Sequence, residues 1–150
     1  MKTYKERTQE LSDAQLAVDK IVAELEPRVK EIAERIENSR KPYHNIPNFS
    51  SSLKYSGHIY DGCYDSFGIC ADTVTVKSTM WWGGTEEEFY MEFPVEYLDM
   101  QDEELDAAIE VTVQAELNKA KEKTLEKNLH DVKVAEAKLK QLQEALEKTK

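Results

Sequence analysis

Four side chains of this sequence have the chemistry of a metal ligand or of a nucleophile and its base: His44, His58, Cys63 and Cys70. A nucleophilic cysteine needs a base beside it and a route to a lowered pKa. The stretch Asp61-Gly62-Cys63-Tyr64-Asp65-Ser66-Phe67-Gly68 reads as a Gly-rich polar loop holding the right residue types, with His58 and His44 upstream. The same stretch also fits a plain turn around a small buried thiol, the commoner arrangement. As zinc ligands the four are separated by 13, 4 and 6 residues, whereas structural zinc sites usually pair ligands two to five residues apart. A Cys63–Cys70 disulfide is conceivable, but a reducing compartment disfavours it. No G-x-S-x-G, H-E-x-x-H, Walker or calcium-loop pattern occurs. No enzyme, catalytic residue, metal or cofactor is therefore expected.

A stronger feature is a run of carboxylates. Glu86, Glu87, Glu88, Glu92, Glu96, Asp99, Asp102, Glu103, Glu104, Asp106 and Glu110 follow one another with no Lys or Arg between them. The chain has 20 basic and 30 acidic residues, net −10. Residues 42–110 hold 2 basic and 14 acidic, net −12, so the remainder is net +2. Part of this has structural causes. Acids suit a helix N-terminus, and charge on an edge strand discourages aggregation. Neither cause requires every nearby cation to be missing. A one-signed field attracts oppositely charged surfaces and speeds association, and it repels nucleic acid, whose binding depends on Lys and Arg. Trp81, Trp82, Tyr90 and Tyr97 lie in or beside the run, as aromatic anchors of interfaces do, although tryptophans also fill small cores. The expected partner surface is Trp81, Trp82, Glu86, Glu87, Glu88, Tyr90, Glu92, Glu96, Tyr97, Asp99, Asp102, Glu103, Glu104 and Asp106, facing a basic protein.

Composition breaks the chain into the parts that must position these residues. Residues 42–100 hold all five Gly and 12 of the 13 aromatics. The flanks, 1–41 and 101–150, are helical by period. Leu11, Ala14, Val18, Ile21, Leu25, Val29, Ile32 and Ile36 make a narrow apolar stripe. A helix start is marked by Ser12 with Gln15, or equally near Thr3, and Pro27 is expected to bend it. The last segment predicts one helix capped by Asp99, about 70 Å long at 1.5 Å per residue. Leu125, Val132, Ala135, Leu139, Leu142 and Leu146 continue a coiled-coil rhythm with Asn128 at an intervening core position, or with Asn128 in solvent beside Leu129. Such stripes need cover, from each other or from a second chain, so a homodimer or higher oligomer through the helices is expected.

In the 42–100 head, period-two alternation predicts three antiparallel strands, around Leu53–Ile59, Thr73–Met80 and Glu88–Phe93. Trp82-Gly83-Gly84-Thr85 is the turn between the last two. The fold class is thus α+β: long N-terminal helix, three-stranded antiparallel head, long C-terminal coiled-coil helix. No stretch approaches the roughly 20 apolar residues of a membrane span, and Met1–Arg7 is not followed by a signal-type apolar region. A cytoplasmic protein with no membrane partner is expected.

Two resemblances follow from these residues. The order of long helix, small β head and long helix resembles an α-type prefoldin subunit, which implies a chaperone or coiled-coil scaffold. The Trp pair, the Cys loop and Glu86–Glu88 depart from that family. The stretch Met80-Trp81-Trp82-Gly83-Gly84 with Phe89-Tyr90-Met91-Glu92-Phe93-Pro94-Val95-Glu96-Tyr97-Leu98 is similar in style to small acidic accessory proteins of bacteriophages. That resemblance implies an inhibitor or nucleic-acid mimic directed at a host or defence protein. The functions rank as an acidic interaction module that blocks a basic partner, then a prefoldin-like chaperone or scaffold, then a small-ligand binder at 61–68.

Overall fold

A computed structural model describes residues 1–49 and 64–149, without the side chains of Met80 and Trp82. Its order is α1 (Tyr4–Arg40), β1 (Tyr64–Cys70), β2 (Thr73–Trp82), β3 (Thr85–Pro94) and α2 (Asp102–Lys148). Short 3-10 turns at Lys41–Tyr43 and Val95–Asp99 lie between them. The α+β class, the two long helices and the three-stranded antiparallel sheet agree with expectation.

The helix starts are set by local chemistry. Thr3 caps α1 through its side-chain oxygen, which accepts from the Glu6 N–H, while the Glu6 carboxylate accepts from the Thr3 N–H. The start is therefore at Thr3 rather than Ser12. Pro27 lies inside an uninterrupted helix. For α2 the cap position is Gln101, and Asp102, Glu103 and Glu104 fill the first turn. Asp99 instead closes the preceding 3-10 turn, a correction to its expected capping role.

The sheet runs β1-β2-β3, antiparallel throughout. Gly83 and Gly84 link β2 to β3 with φ of +54° and +86°, the left-handed pair that a two-residue hairpin with the right twist demands. The first strand corrects the expectation. Tyr64–Cys70, read as part of a polar loop, is the edge strand, with a register shift between Tyr64 and Ser66. Phe67 and Ile69 are two apart and pair with Val76 and Val74, so the apolar alternation was present but masked by Gly68 and the polar residues around it. An edge strand tolerates such a glycine. The expected strand at Leu53–Ile59 lies outside the described residues.

One face of the sheet, Val74, Val76 and Ser78 from β2 with Met91 and Phe93 from β3, is buried. It shares a single core with Val29, Ile32, Ala33 and Ile36 of α1 and Leu105, Ile109, Val113, Leu117 and Ala120 of α2. Burying each large aliphatic there contributes roughly 1.5–3 kcal/mol. Phe49 and Tyr97 complete this core, Tyr97 stacked on Phe93 at 6.0 Å. The helices thus use only adjoining halves.

Polar contacts give the direction of that pairing. Arg28 reaches Asp102, Arg35 Asp106, Ser39 Glu110, Arg40 Glu116 and Asn48 Thr124. Across the hydrogen bonds between the two segments the sequence separation stays between 70 and 77. A constant difference means parallel helices. The free parts therefore leave opposite ends of the head: residues 4–24 of α1 at one end and 121–148 of α2 at the other. Both arms are uncovered, with Leu11, Val18 and Ile21 exposed on one and Leu125, Val132, Leu139, Leu142 and Leu146 on the other. Asn128 and Leu129 are both exposed. Within one chain these stripes do not meet.

Candidate functional site: the outer face of the β2–β3 hairpin

Strand period decides which of the expected residues stand together. Register pairs Trp81 with Glu86, Thr79 with Glu88, Lys77 with Tyr90 and Thr75 with Glu92, opposite residues sharing a face. This face is turned away from the core, because the intervening residues Val74, Val76 and Ser78 are the buried ones. Five of the expected residues, Trp81, Glu86, Glu88, Tyr90 and Glu92, thus form one surface. Glu87 pairs with Met80 on the other face and is exposed, and Trp82 pairs with Thr85 beside the turn.

Trp81 is 69% exposed. Every residue from Gly83 to Glu88 is also exposed, so the end of the hairpin stands clear of the helices. Lower on the face, Lys77 reaches Glu88 at 3.1 Å and Asp65 at 3.4 Å. The Tyr90 hydroxyl donates to Glu88 at 2.6 Å. These contacts hold the Glu88 carboxyl below the usual carboxylate range, chiefly through Tyr90 and then Lys77. Glu88 in turn raises both Tyr90 and Lys77. Glu86 and Glu87 have no ion-pair partner among the described residues. Lys77 was not among the expected residues, yet its alternation with Val76 and Ser78 marks it for this face.

The remaining acids fall elsewhere. Asp102 and Asp106 are paired with arginines of α1: Arg35 lies 3.2 Å from Asp102 and 2.8 Å from Asp106, and Arg28 lies 3.5 Å from Asp102. Glu31 binds both arginines and its carboxyl is held low, first by Arg28 and then by Arg35. The same partners raise Arg35, led by Asp106. Both aspartates are thus engaged at the seam between the helices, while their side chains stay exposed. The expectation for Tyr97 is corrected. It is 6% exposed, and its hydroxyl lies 3.2 Å from Thr112, so it anchors the core. Glu96, Asp99, Glu103 and Glu104 are exposed without ion pairs among the described residues, apart from the hairpin face.

Of the metal and nucleophile candidates, His44 and Cys70 are the two among the described residues. His44 lies 3.1 Å from Glu37, and Cys70 is exposed at the end of β1. His58 and Cys63 lie outside the described residues, as does the whole 61–63 stretch of the expected loop. Among the described residues no group of His, Cys, Asp or Glu has the arrangement of a metal site. A small cleft between sheet and helices is lined by Arg40, Tyr97 and Glu116 with apolar neighbours, and Glu92, at the far end of the hairpin face, borders it. There Arg40 makes a two-point pair with Glu116, at 3.2 and 2.9 Å.

No described helix is long and apolar enough to cross a membrane. No family model, curated protein or solved structure matches this chain, so the site is read from its own residues.

Proposed function

We propose that this chain is an acidic protein-interaction module whose hairpin face docks on a basic protein surface. The observation that supports it is Trp81: a large aromatic, two-thirds exposed, opposite Glu86 at the free end of a hairpin. Exposed tryptophans ringed by charge are the anchors of interfaces rather than solubility devices. Glu86, Glu87 and Glu88 supply the attracting field, and the Lys77–Glu88–Tyr90 contacts hold the face in one arrangement. A basic surface of the required kind is one built to hold nucleic acid. Covering it would compete with that nucleic acid, which makes inhibition the expected consequence of binding.

The test is capture of basic nucleic-acid-binding proteins by the immobilised full chain at low and high salt. Trp81→Ala should weaken capture by about ten-fold or more. Glu86→Gln with Glu87→Gln should flatten the salt dependence. Equal capture by all three proteins would sink the proposal.

A further inference from the structure

The two uncovered arms fit each other, though not within one chain. We infer that copies of this protein associate head to tail, the α2 arm of one copy lying parallel to the α1 arm of the next. The inference is independent of the hairpin face.

The two arms match in length and in the order of their layers. In a heptad frame the α1 arm offers Tyr4, Arg7, Leu11, Ala14, Val18, Ile21 and Leu25 as core positions. In the same frame the α2 arm offers Leu125, Asn128, Val132, Ala135, Leu139, Leu142 and Leu146. Both span seven layers. Set parallel with Tyr4 opposite Leu125, the two polar members, Arg7 and Asn128, fall in one layer, and the two alanines, Ala14 and Ala135, in another. Three heptads are enough for such a pair to hold where a lone helix is not.

The described part of the head leaves room for this register. On α2 the last contact with the head among the described residues is at Thr124, held by Asn48, and the incoming Tyr4 begins at Leu125. On α1 the chain's own α2 begins at Asp102, beside Arg28, and the incoming α2 ends opposite Leu25–Pro27. The C-terminus of one α2 thus meets the N-terminus of the next. Lys148 stands in the last turn and Asp102, Glu103 and Glu104 in the first, a favourable junction for both charges and dipoles.

Charge and shape separate this arrangement from pairing like with like. Residues 1–27 carry 4 basic and 6 acidic side chains, net −2, and residues 121–150 carry 8 and 6, net +2. Unlike arms attract and like arms repel. At 100° per residue the α1 stripe continues the face with which α1 meets its own head. Two α1 arms side by side and parallel would drive both heads into one space. The α2 stripe lies about a quarter turn round from that helix's core face, which sets a twist between successive copies. An advance of roughly 70 Å per copy follows from the difference of the two pairing offsets, about 48 residues at 1.5 Å. A contact of this kind does not close, so the product is an open chain.

Light scattering on the full chain tests this. Its mass should grow with concentration beyond that of a dimer. Val18→Asp with Ile21→Asp spoils the α1 arm, and Leu139→Asp with Leu142→Asp spoils the α2 arm; all four residues are exposed. Each variant alone should remain at the 17.3 kDa of one chain, because every junction then has one bad side. Mixed in equal amounts, they should give a 1:1 complex of twice that mass. A wild-type chain that stays a monomer or stops at a dimer overturns the inference, as does a single variant that still self-associates or a mixture that does not combine. The register has its own check, since it places Glu10 near Glu136. Glu10→Lys should bring association to a concentration roughly two- to five-fold lower, and an unchanged or higher onset overturns that register.

Discussion

Two clusters of carboxylates that adjoin in sequence end in opposite circumstances. At the seam between the helices, Asp102 and Asp106 meet Arg28 and Arg35, and nearby Glu116 meets Arg40. At the end of the hairpin, Glu86 and Glu87 are exposed and lack ion-pair partners among the described residues. Sequence composition counts these acids alike. Folding divides them, because the cations that neutralise the first group arrive from more than 70 residues away. The first group is paired across the helices; the second stays exposed.

Arg40 is 7% exposed and shares two hydrogen bonds with Glu116. Arg40→Ala would remove that two-point pair from a part-buried carboxylate, and the urea midpoint should fall by an amount equivalent to about 3 kcal/mol. Arg35 is more open to water, so Arg35→Ala should lower the midpoint by clearly less, and the loss should shrink as salt is added. If the two losses were equal, burial would not be what ranks these pairs.

Acid sharpens the contrast further. Glu31 and Glu88 both have carboxyl pKa values below the ordinary 4.5. A lowered pKa means that the stabilisation is complete above the unfolded value and is lost as pH falls through the folded one. A stability profile should therefore be level above about pH 5 and decline below the ordinary carboxylate range. Glu88→Gln should remove part of that decline. The smallest effect belongs to the tip: Glu86→Gln with Glu87→Gln should change stability by less than about 0.5 kcal/mol, while altering capture of basic partners.

Much of the fold was legible because period reports burial directly. The stripe through Val29, Ile32 and Ile36, the alternation of Val74 and Val76, and the Gly83–Gly84 turn each appear where pattern placed them. Direction was not legible. A heptad stripe reads the same for parallel and antiparallel partners, so only the contacts from Arg28 to Asn48 reveal that the arms diverge. β1 was hidden by Gly68 and its polar neighbours. For the candidate site, alternation could have sorted Trp81, Glu86 and Glu88 onto one face with Lys77. It could not have shown that Tyr97 packs beneath Thr112 or that Arg35 reaches Asp102 and Asp106, because those partners are set by tertiary packing.

The parallel course of the helices also bears on how the chain is made. The hydrogen bonds that join α1 and its following turn to α2 span 71 to 77 residues, so the apolar half of α1 leaves the ribosome long before its partner exists. At 5–20 residues per second that interval is roughly 4 to 15 s. An antiparallel hairpin can close from its turn outward, whereas here the β head must be traversed first. Val29, Ile32 and Ile36 therefore spend the longest part of synthesis without their native cover, and slowing translation between residues 41 and 105 is where aggregation of the nascent chain would begin.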